Sequence, residues 1–238
     1  MSKQAMLEVR ALDAWYGQAQ ILYGVSLAVN GGECVALVGR NGAGKSTTMK
    51  AIMGLIARRR GRVAFRGRDI STLPPYRIGR LGLGWVPEDR RVFTDLSVRE
   101  NLAVGRQPPR EGAPTWDEAQ LFALFPNLGT MPDRPGGRMS GGEQQMLTVA
   151  RTLMGNPYLV LLDEPSEGVA PLIVEEMARM IVALKAAGVA ILLSEQNLHF
   201  ARLVSDRAVV LEKGEVRFEG AMEALMSDAA LLRTHLSM

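Results

Sequence analysis

Nine residues constrain this chain more than any others: Gly39-Arg40-Asn41-Gly42-Ala43-Gly44-Lys45-Ser46-Thr47. The apolar run Cys34-Val35-Ala36-Leu37-Val38 before them reads as a buried strand, and Thr48-Met49-Lys50-Ala51-Ile52-Met53 after them continues as a helix. A G-x-x-x-x-G-K-[ST] pattern between a strand and a helix is a phosphate-binding loop. Its glycines let successive backbone N–H groups approach phosphate oxygens, and the unpaired N–H groups of the helix start add partial positive charge at the same place. In that arrangement Lys45 reaches the β- and γ-phosphates, and the Ser46 hydroxyl takes one position on Mg²⁺. The pattern therefore implies a nucleoside triphosphate.

Composition narrows the setting. A chain of 238 residues with 47% hydrophobic residues and a mean hydropathy of +0.04 is long enough for one large domain with a substantial core. No uncharged apolar run approaches the roughly 18 residues that span a bilayer. The opening Met1-Ser2-Lys3-Gln4-Ala5-Met6 has no apolar signal core. The lone cysteine, Cys34, excludes an internal disulfide and occupies a position suited to a small core residue. These features predict a cytoplasmic setting. The net charge of +3 is concentrated at Arg58-Arg59-Arg60-Gly61-Arg62, which reads as a solvated turn. It lacks the interleaved aromatics of single-strand binding platforms, so no nucleic acid is expected.

Along the chain, Leu7–Leu12 and Val25–Val29 read as strands, the second ending at the turn Asn30-Gly31-Gly32. Between them Trp15-Tyr16-Gly17 leaves two readings open, an aromatic stacked on a base or one packed in the core. Gly61–Gly67 and Leu83–Val86 read as short strands, and Pro74-Pro75 opens a short helix through Arg80. Residues 97–128 carry helical spacing interrupted at Pro108-Pro109 and Gly112-Ala113-Pro114, so a helical subdomain inserted over about 92–155 is expected. Met139-Ser140-Gly141-Gly142-Glu143-Gln144-Gln145 then leads into a helix. A Ser-Gly-Gly helix start is also equipment for an anion, although a weak signal alone. Tyr158–Leu162 is a continuous apolar strand ending in Asp163-Glu164-Pro165. Carboxylates at the C-terminal end of a buried parallel strand lie where a phosphate loop opens. Asp163 is the expected Mg²⁺ partner and Glu164 the candidate base for the attacking water. A helix over Leu172–Ala187, a strand over Val189–Leu193, a hairpin around Lys213-Gly214 and two short helices complete the expected α/β order.

Taken together, Gly39–Ser46, Met139–Gln145 and Tyr158–Pro165 resemble the nucleotide-binding subunit of an ATP-binding cassette (ABC) transporter, over about residues 6–236. The resemblance implies a single α/β domain over 1–238, with a P-loop NTPase core, an antiparallel β subdomain and the inserted helical subdomain. It implies ATP hydrolysis coupled to transport, with ATP and Mg²⁺ as cofactors. A second ABC ATPase subunit would pair head to tail, so that Ser140, Gly141, Gly142 and Glu143 face the γ-phosphate held by the partner. Aligned on Tyr-Gly…Val-Ser, Tyr16 becomes the adenine-stacking aromatic. Two transmembrane permease subunits would dock near Glu88, Val92, Phe93 and Leu96, the chain lying on the cytoplasmic face of the membrane, with a solute-binding protein acting indirectly.

Finer features narrow the resemblance. Val86–Phe93, Met139–Leu147, Gly168-Val169-Ala170-Pro171 and Glu195-Gln196-Asn197 are similar to the ATPases of branched-chain amino-acid importers, especially the second of that importer's two (the Liv-F type). Ser166-Glu167-Gly168 is somewhat like a urea-importing branch, so cargo stays open among small polar solutes. Three positions depart from the general ABC pattern. Glu88 replaces the usual Mg²⁺-sensing glutamine, Ala170 the usual aspartate, and Gln196 the histidine that contacts the γ-phosphate. His199 is a turn of about 5.4 Å from Gln196 and reads as a surface or packing residue. Two competing functions are a soluble ABC ATPase acting on nucleic acid or ribosomes and a slow-hydrolysing nucleotide-binding regulator.

Overall fold

The computed structural model describes residues 5–236; the reading of the N-terminus as signal-free rests partly on Met1–Gln4, outside that range. Among the described residues there are ten strands: β1 (Leu7–Tyr16), β2 (Ala19–Val29), β3 (Cys34–Val38), β4 (Arg58–Phe65), β5 (Arg68–Asp69), β6 (Leu83–Val86), β7 (Leu159–Asp163), β8 (Ala190–Glu195), β9 (Arg207–Glu212) and β10 (Glu215–Ala221). The principal helices are α1 (Lys45–Ile52), α2 (Pro75–Arg80), α3 (Val98–Gly105), α4 (Glu118–Leu124), α5 (Pro126–Gly129), α6 (Gly141–Leu153), α7 (Pro171–Ala186), α8 (Leu198–Val204) and α9 (Met222–Ser227). Among the described residues no helix is long and apolar enough to cross a membrane.

The strands form two sheets, ordered β2-β1-β4-β5 and β10-β9-β3-β8-β7-β6. The first is antiparallel; in the second, all but β10 run parallel. β3, β7 and β8 are buried along their whole length, as expected of parallel strands covered on both faces. Val35, Leu37, Leu159, Leu161, Leu192 and Val209 face one way, into a core shared with α1 and the antiparallel sheet. Cys34, Val160, Leu162, Ile191 and Leu193 face the other way, against α3, α6 and α7. Register then decides where chemistry can occur. Val38 lies beside Glu195, and Asp163 beside Ser194, so the ends of β3, β7 and β8 form one edge, from which the phosphate loop and the acidic turn both emerge.

The structure corrects two local expectations. The arginine run is not a turn: Arg58–Arg62 is the first half of β4, with Arg58 opposite Trp15 and Arg60 opposite Asp13 of β1. Backbone pairing is indifferent to side-chain charge, and the guanidinium groups of Arg58 and Arg60 settle over the Trp15 ring at 4.9 and 5.8 Å from its centroid. Arg59 instead turns inward and donates to the carbonyls of Ile56 (2.6 Å) and Ser71 (2.7 Å). The first two strands are also longer than their alternation suggests. β1 continues through Trp15 and Tyr16, and β2 begins at Ala19, because bulges between Val9 and Ala14 shift the register and break the two-residue period. Ala11, at φ 47°, marks that irregularity.

Candidate nucleotide site

The loop between β3 and α1 lines a cavity of about 500 Å³ with Tyr16, Ile21, Glu88, Glu164 and Glu167. α1 has no side-chain cap at its N-terminus, so the first N–H groups of the helix are left for a ligand. Gly44, at φ 108°, forms the cap; a Cβ there would also press on Leu22 and Leu211. The loop is propped from behind by the β9–β10 turn, where the Gly214 N–H donates to the Ala43 carbonyl at 2.9 Å.

Lys45 is 3% exposed. Its ammonium donates to the carbonyls of Gly39 (2.9 Å) and Arg40 (3.2 Å) and pairs with Glu164 Oε1 at 3.0 Å. The cation is therefore held by its own loop and by the acidic turn. Ser46 Oγ donates to Asp163 Oδ1 at 2.9 Å. Two hard oxygen donors this close suit Mg²⁺, which takes one or two protein ligands and completes its shell with phosphates and water. Among the described residues no cluster of three or more metal-ligating side chains exists, so the nucleotide itself would have to supply most of the ligands. Burial pushes the Asp163 carboxyl up, and its hydrogen bond with Ser46 offsets part of this.

Glu164 sits in the left-handed backbone region at φ 46°. That conformation costs a non-glycine residue about 1–3 kcal/mol and persists where surrounding structure imposes it. Its N–H donates to the Ser194 carbonyl at 3.0 Å, and its Oε2 accepts from Gln196 Nε2 at 2.9 Å. Burial acts to raise its carboxyl, but hydrogen bonds with Glu167, Gln196 and Lys45, together with the Lys45 charge, hold it below the usual range. Glu167 moves the opposite way, up to about 7, first through its hydrogen bond with Glu164 and then through burial and the Glu164 charge. The result is a carboxyl held low beside one held high. Sequence reasoning missed Glu167 as a site residue. Its only signal was an acidic side chain three residues beyond Glu164 in a turn of otherwise small residues.

Other expected residues fall in several places. Tyr16 is 48% exposed at the cavity rim, which excludes the packed-core alternative. Glu88 lines the cavity and also lies in a smaller recess with Lys50 and Asp163. Ser140, Gly141, Gly142 and Glu143 are not part of the cavity. Ser140 caps α6, its N–H bonded to Glu143 Oε2 at 2.7 Å and its hydroxyl accepting from Glu143 N at 3.4 Å. His199 is exposed on α8, and it is Gln196 that reaches Glu164. A second depression, about 700 Å³, separates the strand core from the helices; it is lined by Trp85, Phe93, Val104 and the arginines Arg80, Arg91 and Arg151. Of the four residues expected at a membrane partner only Phe93 lines it. Val92 packs into the helical core, Glu88 turns to the nucleotide cavity, and the Leu96 carbonyl accepts the Gly136 N–H at 2.8 Å.

Comparison with known proteins agrees with this geometry. Residues 22–167 match the family model for ABC transporters. The chain is 39% identical to the high-affinity branched-chain amino acid transport ATP-binding protein BraG of Pseudomonas aeruginosa, covering 97% of this chain and 99% of that protein. It is 32% identical to the lipopolysaccharide export system ATP-binding protein LptB of Escherichia coli, covering 98% and 97% respectively. Among solved structures, a nucleotide-free ATP-binding cassette from an ABC transporter superposes with a TM-score of 0.82 at 27% identity, covering 96% of this chain and 98% of that one. The ADP conformation of another such cassette superposes at 0.80 and 27%, covering 97% and 98%. The chain belongs to the ABC transporter family, as one of its ATP-hydrolysing nucleotide-binding cassettes.

Proposed function

We propose that this chain powers an ABC importer for branched-chain amino acids or a related small polar solute. The single observation that carries the mechanism is the cavity in which Lys45, the Ser46–Asp163 pair and Glu164 converge on the open end of α1. The family relation carries the transport role, and the greater identity to the amino-acid transport protein than to the lipopolysaccharide export protein favours import of a small solute.

In this reading the loop N–H groups and Lys45 bind the triphosphate, and Tyr16 stacks on adenine at the rim. Ser46 and Asp163, with Glu88 nearby, would hold Mg²⁺, which would supply neutralisation of the phosphate charge. Triphosphate binding draws Lys45 away from Glu164, which is then free to take a proton from the attacking water. Gln196 holds the Glu164 carboxylate in place and donates toward the γ-phosphate. Ser140, Gly141, Gly142 and Glu143 complete the site of a second ATPase subunit paired head to tail. Residues 92–155 act as the helical subdomain, and the depression lined by Phe93 and Val104 receives a cytoplasmic segment of the two permease subunits. The chain then works on the cytoplasmic face of the membrane, served indirectly by a solute-binding protein.

The test is uptake of labelled leucine, and of labelled urea and acetamide, by cells lacking this chain. Restoring the wild-type chain is expected to restore uptake of one of these solutes. Phe93→Asp should leave ATP binding unchanged and abolish uptake. Equal uptake of all the solutes with and without the chain would overturn the importer reading.

A further inference from the structure

Glu195 is the most thoroughly buried carboxylate of the site region that the proposed mechanism leaves unused. It ends β8, is 2% exposed and does not line the nucleotide cavity. Among the described residues no cation pairs with it. A buried carboxylate is costly unless hydrogen bonds satisfy it, and here two backbone donors do. Oε1 accepts the Ser166 N–H at 3.1 Å, and Oε2 accepts the Asn197 N–H at 3.2 Å.

Those two donors belong to different loops. Ser166 lies two residues after Glu164, in the turn leaving β7; Asn197 follows Gln196 and caps α8 through its own side chain, which accepts from Phe200 N at 3.1 Å. Each oxygen of one carboxylate thus ties down one of the loops that carry the catalytic pair. The Gln196–Glu164 contact at 2.9 Å is made by an exposed glutamine, whose side chain has little packing of its own to orient it. What orients it is the backbone on either side, and the Glu195 carboxylate holds both.

We infer that Glu195 is a positioning residue for ATP hydrolysis, a strap that sets the distance between the Glu164 loop and the Gln196 loop. The inference rests on the roles proposed above for Glu164 and Gln196. It does not concern nucleotide binding, because among the described residues the Glu195 carboxylate accepts from Ser166 and Asn197 and not from the phosphate loop. A glutamine at 195 keeps the volume but presents an NH₂ group to one of the two N–H donors, so one tie is lost and its loop is released. Misplacing a reacting group by about 1 Å can cost roughly 10²-fold, and freeing one loop should cost less.

Steady-state ATP hydrolysis is measured on the reconstituted transporter carrying wild-type chain, Glu195→Gln, Gln196→Ala and the double variant. Glu195→Gln should lower kcat about tenfold while the KM for ATP stays within twofold. Because the strap acts through Gln196, the double variant should be no more than about twofold slower than the slower single one. Glu195→Asp retains charge but is too short to reach both donors; it should also be slow, and it decides the matter if Glu195→Gln does not fold. Wild-type turnover in Glu195→Gln, a rise in KM matching the fall in kcat, or losses that multiply in the double variant would each overturn the inference. Glu164→Gln in the same assay separates the two layers. Undiminished turnover there removes the proposed base and the inference together, whereas undiminished turnover in Glu195→Gln alone removes only the inference.

Discussion

The N-termini of α1 and α6 are both glycine-rich starts of the kind that suit anions, yet the chain leaves the first without a side-chain cap and caps the second. At α1 no side chain caps the helix, Lys45 is buried, and the N–H groups face a cavity. At α6 the Ser140–Glu143 capping box satisfies the N–H groups of Ser140 and Glu143, and the helix start is partly exposed. An open start pays no exchange cost when a phosphate arrives. A capped start still offers the Gly141 and Gly142 N–H groups. It frees those of Ser140 and Glu143 only by giving up a hydroxyl and a carboxylate already in place, so it suits a ligand delivered with other contacts, as a partner subunit would deliver it. In the proposed head-to-tail pairing, the first start is the half of a site that binds nucleotide within its own chain, and the second is the half brought to a partner's nucleotide.

The comparison can be broken most forcefully at Lys45. Lys45→Ala removes the buried cation proposed to meet the β- and γ-phosphates, and truncating one partner of a buried charge pair across a binding interface typically costs about 2–5 kcal/mol. ATP affinity of the isolated chain, measured by titration calorimetry, should fall by about 30-fold or more, and binding within threefold of wild type would mean that the open start alone holds the nucleotide.

A smaller effect is expected at the capped start. Ser140→Ala deletes the hydroxyl that accepts from Glu143 N, a loss of about 1 kcal/mol of helix stability. For a chain of this size that corresponds to a Tm lower by about 2–4 °C. ATP affinity of the isolated chain should not change. A loss of affinity without a loss of Tm would place α6 in this chain's own site and remove the contrast.

The smallest effect sharpens the picture of the open site. Glu167, raised to about 7 from 4.5, binds its proton more tightly in the folded chain than in the unfolded one. Its contribution is therefore fully present below about pH 4.5 and is lost as pH rises through about 7. Glu164, held low, contributes in the opposite sense and only in a more acidic window. Because Glu167 is largely exposed, solvent screening reduces the effect to about 1–2 °C of Tm between pH 6 and 8. Glu167→Gln should abolish that pH-dependent difference, as followed by differential scanning calorimetry. An identical Tm profile in wild type and variant would show that the two carboxyls do not share a proton.

Local chemistry alone made much of the molecule legible. The buried runs Cys34–Val38 and Tyr158–Leu162 read as core strands because parallel strands covered on both faces have no polar side to show. Lys45, Ser46, Asp163 and Glu164 were recognisable because each stands at a strand end or helix start that its neighbours define. Three other features were not legible, each for its own reason. The length of β1 was hidden because its bulges break the two-residue period. The arginine run looked like a turn because only its pairing with β1, dozens of residues earlier, supplies the backbone partners that make it a strand. Glu167 and Glu195 looked like ordinary acidic residues because their roles depend on distance in space. One meets Glu164 across a turn, and the other reaches Ser166 across the gap between β7 and β8. The sequence by itself determined most of the elements and which side chains stand at the phosphate loop and the acidic turn, since propensity, burial pattern and motif spacing are local properties. Only the tertiary structure decided which helix start opens into a cavity, which carboxyls lie against each other and which one ties two loops together, because hydrogen bonds and charges respond to separations of a few ångströms that the order of residues does not encode.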